Sequence, residues 1–185
     1  LLDLNGPSIS YTPFLQTTTT TNRVLATTIT DPSGVAGGGN APRIYFRKGV
    51  AAYVSAACTG TAPNFTCTID NSAIGGVVVG DSVSYFVVAQ DVPGNVSGNP
   101  SGGFSATNVN NVTSPPTTPN SYNIVAGVAG SIDVGTGGGF ASLTNAGGVF
   151  EALNNGVLVS NVTINVVSDL TAETGAVALN QFAEE

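Results

Sequence analysis

The chain has no histidine, no methionine and no tryptophan, and only four basic residues in 185: Arg23, Arg43, Arg47 and Lys48. Each absence closes a class of chemistry. Without histidine there is no Ser-His-Asp or Cys-His constellation for nucleophilic attack. With only two cysteines, a zinc site also lacks ligands. A net charge of −7 on so few cations sets nucleic acid aside as a partner, because such binding rests on neutralising phosphates. No apolar run approaches the roughly 20 residues of a membrane helix, so no membrane insertion is expected. The missing methionine and the missing charged-then-apolar leader lead us to expect that Leu1 is internal to a longer precursor. The Gln181 to Glu185 end has no polar cap or sorting domain, and we expect more polypeptide after it.

What remains is β-forming material. Only 8% of residues are charged while 42% are apolar, so solubility falls to Thr, Ser, Asn and Gly. From Ile9 to Val109 short strand-like runs alternate with turn clusters, the pattern of an all-β sandwich. The expected strands are Ser8 to Thr12, Arg23 to Asp31, Arg43 to Lys48, Ala51 to Cys58, Phe65 to Ile69, Ser82 to Gln90 and Phe104 to Val109. Leu25, Thr27 and Ile29 share one face, as do Ile44 and Phe46, and Tyr85 and Val87 join the same core. Ser114-Pro115-Pro116-Thr117-Thr118-Pro119 cannot sustain ladder hydrogen bonds and marks a boundary. We therefore expect a β-sandwich over 1–118 and a smaller β-rich segment over 119–185.

In the second segment a strand is expected at Tyr122 to Val125, followed by Gly-rich turns. Asn145 is placed to cap a helix through Asn154, with Val149, Phe150 and Leu153 on one face and Gly156 as the stop. Strands at Asn161 to Val167 and Ala176 to Phe182 flank a turn at Ser168 to Gly175.

Cys58 and Cys67 stand between strand-like runs with Thr59 to Thr66 between them. That spacing favours a hairpin-spanning disulfide over two buried thiols, and it is not the C-x-x-C of a redox centre. A disulfide implies an oxidising compartment. Catalytic options shrink to carboxylates, of which Asp169 and Glu173 are the best-placed pair, in a turn where both read as solvated. Gly135 to Gly139 lies where a dinucleotide fingerprint would, but Phe140 occupies its third glycine position.

The run Ala89-Gln90-Asp91-Val92-Pro93-Gly94-Asn95 has an A-x-D-x-x-G-N form. With Ile29-Thr30-Asp31-Pro32-Ser33-Gly34-Val35, Pro42 to Arg47 and Ser84 to Asp91, it resembles bacterial immunoglobulin-like modules of large secreted or surface-attached proteins, often those exported through the type IX pathway. The resemblance implies a seven-strand sandwich, an extracellular or bacterial cell-surface location, and a role as spacer, adhesive unit or filament building block, with no catalytic residues. In such a sandwich the loops after the second and sixth strands emerge at one end. Asp31 and Asp91 would then meet there, either each capping its own turn or, with Asn95, holding Ca²⁺ by oxygen ligation. No other cofactor is expected. Gly137-Gly138-Gly139-Phe140-Ala141-Ser142-Leu143 resembles the entry into a parallel β-helix, whose coils bury their faces only against neighbouring coils.

The function expected from all this is a non-enzymatic, extracellular structural or adhesive module that assembles with neighbouring domains or copies of itself, surface glycans being a further possible partner. The competing reading is an accessory domain of a secreted β-helix enzyme acting on polysaccharide, with its active site outside this chain.

Overall fold

A computed structural model describes residues 3–181. It is mostly β, with several antiparallel sheets, and divides into two compact units: 1–15 with 19–124, and 16–18 with 125–185. In the first unit β1 (Ser8–Ser10), β2 (Arg23–Thr30), β5 (Thr59–Thr61) and β6 (Asn64–Ile69) form one antiparallel sheet in the order β1-β2-β6-β5. A second sheet runs β11-β7-β3-β4, from β3 (Arg43–Lys48), β4 (Val54–Ala57), β7 (Ser82–Gln90) and β11 (Asn120–Asn123). The short β8 (Val96–Asn99) pairs with the C-terminal half of β7, and β9 (Ser105–Asn108) with β10 (Asn111–Ser114) makes a separate hairpin.

The two sheets bury one common core. Along β2 the residues Leu25, Thr27 and Ile29 are buried while Val24, Ala26, Thr28 and Thr30 are exposed, the period of a half-buried strand. Ile44, Phe46, Phe65, Cys67, Tyr85 and Val87 complete that core from both sheets. The alternation fails in β7, where Tyr85 through Gln90 are all buried. The reason is a second cluster on the other face of the sheet. Tyr45, Phe86, Val88 and Val109 gather there with Tyr53, Val96, Phe104 and Val112 packed against them. Tyr45 stacks on Phe86 with centroids 5.2 Å apart, and Tyr53 meets Phe86 edge-on at 5.0 Å. A strand covered on both faces has no polar side to show, hence the continuous apolar run.

Several expected elements move. The strand expected at Ala51 to Cys58 is β4 alone, and Cys58 lies between β4 and β5, where the chain leaves one sheet for the other. The strand expected at Phe104 to Val109 is the first arm of the β9–β10 hairpin. Tyr122 belongs to β11, which hydrogen-bonds to β7, so the first unit extends past the proline-rich stretch and the boundary moves from after Thr118 to after Ile124.

The second unit is built on β12 (Gly127–Val134) and β13 (Val157–Val166), which pair in parallel, with α1 (Val149–Asn155) between them. Partners are thirty residues apart at Gly127–Val157 and thirty-two from Gly130–Val162 to Val134–Val166, with a register irregularity in between. Val134, Val149 and Leu153 form the buried core, with Val128, Ile132, Phe140, Val162 and Ile164 against it. The stretch read as Gly-rich turns is thus partly a strand. Gly130 at φ +76° sits at its irregularity, and only Val128, Ile132 and Val134 face the core. Gly138 permits the chain to fold back onto β12, since a Cβ there would lie 2.6 Å from the Asp133 carbonyl oxygen. The helix begins later than expected, after Gly148, and Asn145 does not cap it. Residues 176–181 are not in a strand, and Phe182 lies outside the described residues. No helix among the described residues is long and apolar enough to cross a membrane.

Candidate functional site

The loop after β2 and the loop after β7 are zipped together by backbone bonds. Val35 bridges Asp91, Ala36 N–H donates to the Gln90 carbonyl at 2.8 Å, and Val92 N–H donates to the Gly34 carbonyl at 3.0 Å. This pairing brings Asp31 and Asp91 to one place, and Asp3 joins them: one carboxylate oxygen from each lies within 4.8 Å of the others. Asp91 is fully buried and the other two are half-buried. Among the described residues the one ion pair is Lys48–Asp81 at 3.7 Å, and it involves none of these three carboxylates.

Each carboxylate also organises its own backbone. Asp91 Oδ1 accepts from the N–H of Gly94 and of Asn95, both at 2.6 Å, which is the local turn chemistry of an Asx motif. Asp31 Oδ1 accepts from Ser33 N–H at 2.8 Å. The N–H of Asn5 and the hydroxyl of Ser33 hold the Asp3 carboxyl below its ordinary range. Ser33 Oγ lies 2.8 Å from Asp3 Oδ2 and 2.6 Å from Asp31 Oδ1. A hydroxyl carries one hydrogen, so it serves one of these acceptors at a time.

Asn95 stands differently from the expectation that it would add a ligand oxygen. Its side-chain N–H₂ donates to Asp91 Oδ2 at 2.6 Å and to the Asp3 carbonyl at 3.1 Å, so it clamps the cluster together from outside. The residues that could hold a hard cation are Asp3, Asp31 and Asp91. Asp3 escapes sequence reasoning because it sits near the chain's start with no motif around it, and only the tertiary pairing delivers it.

Cys58 and Cys67 are joined by a disulfide, with Cα atoms 4.2 Å apart. The register makes them neighbours: Thr59 faces Thr66 in the β5–β6 pair, so the preceding and following residues come opposite. Both sulfurs are in the shared core, with Cys67 wholly buried. Cys58 N–H donates to the Pro42 carbonyl at 2.7 Å, so the bond pins the crossing from β4 to β5.

In the second unit Glu173 is not a solvated turn residue. Its carboxylate accepts from the N–H groups of Leu143 and Thr144, each at 2.8 Å, and from the Thr144 hydroxyl. Those donors, the hydroxyl foremost, hold its pKa at about 2. Asn145 works beside it, accepting from Thr174 N–H at 2.9 Å and donating to the Ala172 carbonyl at 2.9 Å. Asp169 and Glu173 share a cavity of about 170 Å³ with Thr136, Ser142 and Leu170. With so low a pKa and its oxygens already accepting these three hydrogen bonds, the carboxylate is ionised near neutrality and has no proton to give.

Compared with protein-family models and with curated proteins, the chain matches none.

Proposed function

We propose that this chain is a non-enzymatic structural or adhesive module of a larger bacterial surface protein or filament, working outside the cell by assembly with neighbouring domains or copies of itself. The observation that carries this reading is the second unit. Residues 157–180 lie on residues 127–154 coil over coil. The strands pair at offsets of thirty to thirty-two residues, the Ser168 hydroxyl accepts from Thr136 N–H, and Glu173 and Asn145 tie the following corner. Asn154 accepts from Asn180 N–H and donates to the Ala178 carbonyl. Strands stacked at offsets of thirty to thirty-two residues, with corners tied one over the other at offsets that shorten to twenty-six and twenty-four by Asn154, are how solenoid coils bury themselves, and each such coil wants another beyond it. We read the first unit as the immunoglobulin-like sandwich and the second as the opening coils of a parallel β-helix.

The disulfide and the scarcity of ionised side chains support an oxidising, extracellular setting. A Ca²⁺ ion held by Asp3, Asp31 and Asp91 belongs to the same proposal, since it would rigidify the loop end of the sandwich. The test is hydrogen exchange on the dilute, monomeric chain. An open coil end leaves the outward amides of β13 exchanging while its inward amides are protected. Uniform protection along β13 in a chain that stays monomeric at high concentration would mean the unit is self-sufficient and the assembly reading is wrong.

A further inference from the structure

β1 is only three residues long. It pairs with Thr28 to Thr30 of β2 and stops at Ser10, and Pro13 shortly beyond has no N–H with which to carry the ladder on. The flank of β2 at Ala26 is left without a neighbouring strand, and a groove of about 550 Å³ opens there on the β1-β2-β6-β5 sheet. Among its lining residues Ser10, Ala26, Thr28, Asn64 and Thr66 point outward from the sheet and Thr12 stands beside them, all six exposed. Through the register Ser10, Thr28 and Asn64 make one row across the sheet, with Ala26 and Thr66 in the next. Ala26 is the smallest outward residue of β2, so the surface dips at its side chain. Ile29 N–H donates to the Pro63 carbonyl on the β6 side. Successive residues of an antiparallel strand alternate sides, so the Ala26 N–H and C=O, three residues back, turn to the β1 side and open into the groove.

The chemistry of this surface is neutral and rich in hydroxyls. The outward residues of all four strands are Ser, Thr, Asn, Val and Ala, without one charge. The basic residues lie elsewhere: Arg23 is turned to the rings of Phe14 and Tyr122, and Arg43, Arg47 and Lys48 belong to β3 of the other sheet. Among the described residues no hydrogen bond engages the hydroxyls of Ser10, Thr12, Thr28 and Thr66 or the Asn64 amide. Each of these groups can both donate and accept, as a ligand that presents hydroxyls requires. The Ala26 methyl and the threonine methyls add apolar contact for C–H groups, and the groove has the size of a small-molecule site. We propose that it binds a short neutral saccharide, whose hydroxyls bond Thr28, Asn64, Thr66 and the Ala26 backbone. A carboxylated or sulfated sugar finds no cation there to pair with. A peptide strand finds too short a free flank, since it would run into β1 at Thr28. The site rests on the adhesive reading above and gives it a ligand class; weak single sites suit that reading because assembled copies multiply them.

The experiment is a titration of the 185-residue chain followed by backbone amide NMR, using di- and trisaccharides of glucose, mannose and galactose, with a galacturonate trimer as the charged comparison. The neutral sugars should shift the amides of Ser10, Ala26, Thr28, Asn64 and Thr66, and the galacturonate should not. Thr28→Val and Thr66→Val keep shape and β-branching, and each should weaken binding about fivefold, the loss of one neutral hydrogen bond. Ala26→Tyr should abolish binding by filling the groove. All three positions are exposed, so far-UV circular dichroism and Tm should stay as in the parent chain. No shift with any neutral sugar, an equal response to galacturonate, or binding that survives Ala26→Tyr overturns the groove as a neutral-saccharide site. Shifts confined to another surface overturn the groove and leave the adhesive reading standing. Binding at the groove in a monomeric chain whose β13 is uniformly protected from exchange supports the site and overturns assembly alone.

Discussion

Reduction of the Cys58–Cys67 bond should destabilise the first unit by an amount the fold lets us estimate. The bond spans a sequence separation of 9, and in the chain-entropy model a loop of that size restricts the unfolded ensemble by about 2.5 kcal/mol. Reduction removes no heavy atom from the core, where Cys67 is fully buried and Cys58 nearly so, and the two thiols need only move apart to van der Waals contact. Reduction therefore reads the loop term together with that small repacking, whereas a double alanine variant adds the loss of buried sulfur packing. For a unit of this size, the loop term corresponds to a fall in Tm of roughly 10 °C. Urea unfolding with and without a phosphine reductant measures it, and the reduced protein should also show a slightly larger m because its unfolded state is less constrained. Locally, the amides of Thr59 to Thr61 should exchange faster, since β5 is an edge strand attached to its sheet through β6 alone. Two free thiols in native, unreduced protein, or an unchanged midpoint on reduction, would refute the reasoning.

Three further outcomes are expected. Asp31 and Asp91 hold like charges with carboxylate oxygens no more than 4.8 Å apart, a repulsion on the order of 3 kcal/mol at an effective dielectric constant of about 20, reduced by the partial exposure of Asp31. Asp31→Asn should thus raise Tm in chelator and remove any rise with Ca²⁺, and the absence of both titration heat and a Ca²⁺-dependent Tm in the parent chain would reduce the cluster to turn chemistry. Glu173 has a folded pKa of about 2, below its ordinary 4.5, so its contribution is present above pH 4.5 and lost as pH falls towards 2. Exchange at the Leu143 and Thr144 amides should accelerate across that window in the parent chain and be independent of pH, beyond intrinsic rates, in Glu173→Gln. Gly98→Ala should cost about 1–3 kcal/mol, because its Cβ would lie 2.8 Å from Phe104 Cγ, and Phe104→Leu should recover part of the loss in a double-mutant cycle.

What the chain declares locally and what only its fold decides separate along one line. Alternation in β2 and the turn chemistry of Asp91, Gly94 and Asn95 are set by residues within a few positions of one another, and these are legible because one face of a strand is buried and short side chains bond their own backbone. Cys58 and Cys67 fall in the same group, since a hairpin places nearby residues opposite each other. The two-sided burial of β7 is not local: its outer face is covered by Phe104 and Val109 from a hairpin beyond the strand. β12 is hidden because a parallel partner thirty residues away, not its own weak pattern, makes it a strand. Asn145 carries the signature of a helix cap, but Thr174 and Ala172, almost thirty residues further along the chain, compete for its side chain and win. Likewise Asp31 and Asp91 each specify a turn by themselves, whereas the charge cluster with Asp3 exists only because the Val35–Asp91 bridge closes the two loops on each other. Side-chain chemistry determines which local bonds a residue can make, and tertiary packing selects among them by bringing distant partners into range.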